Sequence, residues 1–291
     1  MTRGRWRGDS GLVATITAFL VGACSPLAAF NALVPKDGGV DIVAKDAPFG
    51  ADPRQTIDVY RPRGHGEPVP IIVFIYGGSW RSGSKAGYAF VGRALAKRGF
   101  LVAIPDYRLV PNVRYPAFLE DNAEATRWVI THAAQLGADP NRIVLAGHSA
   151  GAYNAAMLTL DSRWLGRDRV RVRGLIGLAG PYDFLPLSGD VLGPAFQNVT
   201  APKSTQPVNF VDATSPPAFL ATGSEDDFVR PRNSDALAAK LKTAGVSVER
   251  KTYSGIGHVG LLTAISRPLR SRAPVLDDAV AFAQRVTAAR P

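Results

Sequence analysis

Short unbroken apolar runs alternate along the chain with longer stretches in which apolar residues recur every three to four positions. The run Ile71-Ile72-Val73-Phe74-Ile75 is continuous and β-branched, the pattern of a strand buried on both faces, and it stops at Gly77-Gly78. Further strands are predicted at Phe100 to Ile104, Ile143 to Ala146, Leu175 to Leu178, Ala218 to Thr222 and Val246 to Tyr253. Helices are predicted over about Lys85 to Arg98, Ala117 to Gln135, Ala150 to Leu160, Ser234 to Thr243 and Val275 to Ala288. Strand and helix alternating in this way predict an α/β fold, a mostly parallel sheet with helices on both faces. Two earlier runs, Val40 to Ala44 and Thr56 to Tyr60, read as an antiparallel opening pair.

The segment 181–217 breaks this rhythm. It is rich in Pro, Ser, Thr and Gly, weakly periodic, and too long for an ordinary connection. It reads as an insertion over the sheet edge, either a lid-like wall of a pocket or a surface loop.

The amino-terminal pattern is different in kind. Arg3, Arg5 and Arg7 precede the uncharged run Gly11 to Ala23, which is too short to span a bilayer stably and has the order of parts of a secretory signal. Its end, Val21-Gly22-Ala23-Cys24-Ser25, resembles the lipobox of bacterial lipoproteins, in which the cysteine is acylated and becomes the first residue. An ordinary signal peptide ending near a cysteine is the alternative. The expected organisation is a signal peptide over 1–23, a tether over 24–39 and one catalytic domain over 40–291. The protein is expected to be exported to the periplasm or cell envelope and held at the membrane through Cys24.

Composition narrows the function classes. With 291 residues, 46% hydrophobic and 20% charged, the chain can bury a sizeable core and is no disordered tail. A net charge of +10 raises the question of nucleic acid, but Arg and Lys are scattered apart from a small cluster at Arg167, Arg169, Arg171 and Arg173. No aromatic-interleaved basic stripe accompanies them, so a nucleic-acid partner is not expected. The single cysteine, Cys24, excludes an internal disulfide and a cysteine metal cluster, and no metal site is expected.

The candidate chemistry starts at the strand Ile143 to Ala146, which runs into Gly147-His148-Ser149-Ala150-Gly151 and then a helix. This is G-x-S-x-G in the strand–turn–helix setting that exposes a nucleophilic serine, Ser149. The two glycines are needed because a Cβ at either would collide with neighbouring strands. A free hydroxyl is barely nucleophilic, so a histidine later in the chain and a carboxylate between them are required. Of four histidines, only His258 lies beyond the last predicted strand, in a glycine-bearing loop, and it is the candidate general base. His65, His132 and His148 read as structural, with His148 pointing away from Ser149. The carboxylate is sought in Glu225-Asp226-Asp227, after the strand Ala218 to Thr222. Backbone N–H groups of Gly77, Gly78 and Ala150 are the candidate oxyanion donors. Trp80 reads equally as a pocket wall and as core.

Taken together, Tyr76-Gly77-Gly78-Ser79-Trp80, Gly83-Ser84-Lys85, Asp106-Tyr107-Arg108 and Gly147 to Gly151 resemble segments of α/β-hydrolases, over about residues 54–290. The resemblance is to the carboxylesterase branch with H-G-G-x-W and G-H-S-A-G, related to bacterial esterases and arylformamidases. That family's Gly-x-x-Asp-x-x-Val spacing falls on Asp226, with Asp227 as runner-up. Tyr76 stands where many relatives have histidine and is a candidate pocket residue with Trp80. The resemblance implies cofactor-free acyl transfer through Ser149 on small-molecule carboxylic esters, short-chain or small aryl. The alternatives are an arylformamidase and a catalytically silent lipid-anchored binding module.

Overall fold

The computed structural model describes residues 26–288. The signal-like segment and Cys24 lie outside the described residues.

Eight strands form one sheet: β1 (Val40–Pro48), β2 (Thr56–Pro62), β3 (Val69–Ile75), β4 (Leu101–Pro105), β5 (Ala138–His148), β6 (Val172–Leu178), β7 (Ala218–Gly223) and β8 (Val248–Tyr253). Their order is β1-β2-β4-β3-β5-β6-β7-β8. The opening strands pair antiparallel, β1 with β2 and β2 with β4, and every later pairing is parallel. Residues along β4 and β7 are buried without interruption. Because successive side chains point to opposite faces, such strands need cover on both. The helices supply it: α2 (Ala89–Ala96), α3 (Ala117–His132), α4 (Ala150–Leu160), the short α5 (Ser162–Leu165), α7 (Arg232–Thr243) and α9 (Val275–Thr287), with α3 packed beside α4 and α2 beside α9. This is the α/β-hydrolase fold that the sequence resemblance implies.

Several expectations are corrected. The strand expected at Ile143 to Ala146 is the last part of β5, and the helix expected from Lys85 opens with a 3-10 turn, Lys85–Tyr88, before α2. The expected tether contains a helix, α1 (Pro26–Leu33), docked on the domain. The Asn31 amide donates to Ala86 O at 2.8 Å, its carbonyl accepts from Phe90 N at 3.1 Å, and Phe30 meets Phe90 edge to face.

The insertion 181–217 carries α6 (Gly189–Ala195) and two 3-10 turns, and it lies over Ser149 rather than over a sheet edge. Its Phe196 inserts between Trp80, Tyr115, Phe118 and Tyr153. That aromatic contact holds it down on the centre of the sheet. The remaining short helix, α8 (His258–Thr263), begins at the residue expected in a loop.

Candidate active site

β5 delivers Ser149 at the carboxyl edge of the sheet, and α4 starts one residue later. Ser149 has φ 55° and ψ −125°, a left-handed conformation that costs an L-residue on the order of 1–3 kcal/mol and is held here by its surroundings. Its N–H donates to Leu178 O at 2.9 Å, and its carbonyl accepts from Tyr153 N at 3.1 Å. The flanking glycines make the turn possible, though not by one mechanism. A Cβ on Gly151 would lie 2.0 Å from Ile75 O on β3, whereas one on Gly147 would lie 2.4 Å from the backbone of Gly151. Only the first collision is with a neighbouring strand.

The turn after β7 delivers Asp226. Asp226 is buried, while Glu225 and Asp227 are exposed. Asp226 Oδ1 accepts from Phe228 N at 3.1 Å and Val229 N at 2.8 Å, leaving Oδ2 to meet His258 Nδ1 at 2.7 Å. A carboxylate held by two backbone donors fixes the ring it faces and so presents Nε2 for proton transfer. Ser149 and His258 line the same cavity. Among the described residues the Ser149 hydroxyl makes no hydrogen bond, and serine–base contacts are often loose before substrate binds.

His148, set aside as structural by sequence reasoning, touches the site. Its Nε2 lies 3.1 Å from His258 O, and burial, reinforced by the neighbouring His258, pushes its imidazole down to about 3. No sequence pattern announces this contact, because it joins positions 110 residues apart.

The loop after β3 supplies the glycines. Gly78 has φ 123°, and a Cβ there would lie 2.2 Å from Ser82 O. Ser79 and Trp80 follow with φ 55° and 58°, so the loop is tightly coiled beside Ser149. Ala150 opens α4, where the first N–H groups have no partner within the helix. Gly77 lines the same cavity as His258. Burial raises the Tyr88 phenol well above 10, and a backbone hydrogen bond with Gly77 opposes the rise, as an N–H donated to the phenol oxygen does.

Trp80 serves both roles that were open. It is 2% exposed, donates to Asn154 Oδ1 at 3.0 Å and packs on Phe118, yet one edge lines a cavity of about 440 Å³ beside Ser149. Tyr76 lines neither cavity at Ser149, which corrects its assignment to the pocket. Its ring is stacked between Tyr88 and Tyr107, and its hydroxyl donates to Asp106 Oδ1 at 2.7 Å. The other two segments that carry the resemblance meet it there. Lys85 N also donates to Asp106 Oδ1, at 2.7 Å, and Tyr107 donates to Tyr76 O at 3.0 Å. Together they brace the glycine loop from beneath.

The family model BD-FAE matches residues 57–241, a span that holds the serine turn and Asp226 but ends before His258. The chain is similar to the probable isoprenylcysteine alpha-carbonyl methylesterase ICME of Oryza sativa subsp. japonica, with 29% identity over 82% of this chain and 63% of that protein. It is also similar to the carboxylesterase NlhH of Mycobacterium tuberculosis, with 32% identity over 66% of this chain and 67% of that one. The chain thus spans about three-fifths of the length of the plant relative. Among solved structures, a hyperthermophilic esterase from the archeon Pyrobaculum calidifontis superposes with a TM-score of 0.72 at 25% identity, covering 90% of each chain.

Proposed function

From the premise that the chain belongs to the BD-FAE family, we propose that it is a serine hydrolase of small-molecule carboxylic esters, working through an acyl-enzyme on Ser149. The observation that carries this reading is the 2.7 Å pair of Asp226 Oδ2 and His258 Nδ1 facing the cavity into which the strained serine turn projects. The carboxylesterase and methylesterase names of its relatives support the reading.

Ser149 Oγ attacks the ester carbonyl while His258 Nε2 takes its proton. The charge that builds on the carbonyl oxygen is met by the N–H groups of Gly78 and Ala150, each worth about 3–4 kcal/mol in such sites. The C–O bond to the alcohol then breaks, and the proton passes from His258 to the departing oxygen. Water, deprotonated by the same imidazole, releases the acid. Trp80 and Phe184 border the cavity on the Ala150 side and offer an aromatic wall to a short chain or a small ring.

Hydrolysis of p-nitrophenyl esters from acetate to decanoate, with N-formylkynurenine alongside, tests this. Turnover is expected with the short esters and is expected to vanish in Ser149→Ala. Equal, negligible rates in both proteins would overturn the hydrolase reading, and turnover of the formamide alone would replace ester with amide as the substrate.

The amino-terminal pattern supports export and acylation of Cys24. Mass spectrometry of the membrane fraction of a bacterial host is expected to find the lipid on Cys24, and a soluble, unacylated protein would sink that part of the proposal.

A further inference from the structure

The nucleophile stands between two cavities of different character. The one bounded by Trp80, Phe184 and Val191, with Asp190 and Arg232, has a volume of about 440 Å³. The second, of about 490 Å³, is walled by Leu27, Phe30, Tyr88 and Leu262, and Phe228 and Val259 stand exposed at its border. Among the described residues that line it there is no Lys, Arg, Asp or Glu. Ser149 faces both cavities, but His258 lines only the second.

That asymmetry assigns the two halves of an ester. The imidazolium formed when Ser149 attacks must return its proton to the alkoxide as the C–O bond breaks, so the departing alcohol lies on the His258 side. The acyl group, left on Ser149, occupies the other cavity.

Two walls of the alcohol side come from outside the span that the family model matches. Leu27 and Phe30 belong to α1, which precedes the span 57–241 matched by the family model. The helix is nevertheless built in. Asn31 clasps Ala86 and Phe90, and Asp37, just beyond the helix, makes a two-pronged pair with Arg270 at 3.0 and 2.5 Å. Both are bonds that an idle tether would not need.

We infer that α1 completes an apolar alcohol subsite, in which Leu27 and Phe30 select esters of alkyl or aryl alcohols over those of small or charged ones. The inference rests on ester hydrolysis at Ser149 and adds which half of the substrate the amino-terminal helix reads.

Two substrate series separate the halves: alkyl acetates from methyl to octyl vary the alcohol, and p-nitrophenyl esters from acetate to decanoate vary the acyl group. In the wild type kcat/KM is expected to rise with alcohol length. Phe30→Ala is expected to lower the octyl-to-methyl ratio of kcat/KM about tenfold, the discrimination a few methylenes give in an apolar pocket. Leu27→Trp, which fills the cavity instead of opening it, should lower the same ratio, and thermal melting followed by circular dichroism checks that both variants are folded. Val191→Trp, on the opposite wall, should move the decanoate-to-acetate ratio instead. If Phe30→Ala and Leu27→Trp leave the alcohol ratio at the wild-type value, or shift only the acyl ratio, the subsite is wrong while ester hydrolysis stands. If the wild type hydrolyses neither series, the hydrolase reading itself fails and takes the subsite with it.

Discussion

His148 Nε2 lies 3.1 Å from the carbonyl oxygen of His258, and the two imidazole rings are 4.7 Å apart. The residue before Ser149 is thus tied to the backbone of the proposed base. To bond a carbonyl, Nε2 must carry the proton, which leaves the neutral ring with Nδ1 bare. The serine turn and the start of α8 are thereby joined by a contact donated from the imidazole Nε2, which burial keeps in a neutral ring.

Burial and the neighbouring His258 hold His148 at about 3, against 6.5 for a free imidazole. Below pH 6.5 the unfolded chain takes up a proton that the native protein refuses until about pH 3. Stability therefore falls as pH falls through this window, by on the order of 3 kcal/mol at pH 4 from this group alone. His148→Gln keeps a donor for His258 O but does not titrate. Urea unfolding from pH 8 to pH 4 should show a shallower acid slope in the variant, by up to one proton. Parallel curves would mean that native His148 accepts a proton as readily as the unfolded chain does.

Asp226 and its exposed neighbour Asp227 are predicted to behave very differently. Asp226→Asn can still accept from Phe228 N and Val229 N, but its amide would donate to His258 Nδ1 and impose the tautomer whose Nε2 already holds a proton. Such a base cannot take the Ser149 proton, and kcat should fall by about four orders of magnitude with the fold retained. Asp227→Asn should keep kcat within a few-fold of wild type. Steady-state rates at pH 7 to 8 decide between them, and a larger loss at Asp227 would move the acid one residue along.

Much of this arrangement is legible in the sequence because its signals are local. β3, β4 and β7 are continuous apolar runs, and Gly147 to Gly151 is a turn whose sterics leave few choices. Asp226 stands apart from Glu225 and Asp227 only when the family spacing is added, since burial decides among three adjacent acids and burial is tertiary. What escaped was set by distant partners. The eight residues of α1 are too short to be stable as an isolated helix and depend on Asn31 finding Ala86 and Phe90. Tyr76 is drawn away from the pocket by Asp106, 30 positions later, and His148 reaches His258 across 110. Neither separation leaves a periodic trace.

The brace beneath the glycine loop supplies the last prediction. Lys85 is 5% exposed, and its ammonium lies 2.5 Å from Asp46, 3.6 Å from Asp58 and 3.6 Å from Asp106. Burial pulls its pKa down, but the hydrogen bond to Asp46 and the charges of Asp106, Asp58 and Asp46 outweigh burial and hold it above 10.5. Lys85→Met removes the one cation that all three carboxylates share and leaves Asp58 and Asp106, both mostly buried, without it. Breaking a buried pair from one side costs about 3–5 kcal/mol, whereas Asp46→Asn, on the side chain that is 62% exposed, should leave stability nearly unchanged. Because Asp106 also accepts from Tyr76, whose backbone leads into Gly77 and Gly78, the loss should reach the oxyanion donors. We expect Lys85→Met to lower kcat more than it raises KM, measured below its melting temperature. Urea unfolding reads the stability term and p-nitrophenyl acetate turnover reads the catalytic one. A variant destabilised as expected but with wild-type kcat would confine the brace to folding and detach it from the chemistry.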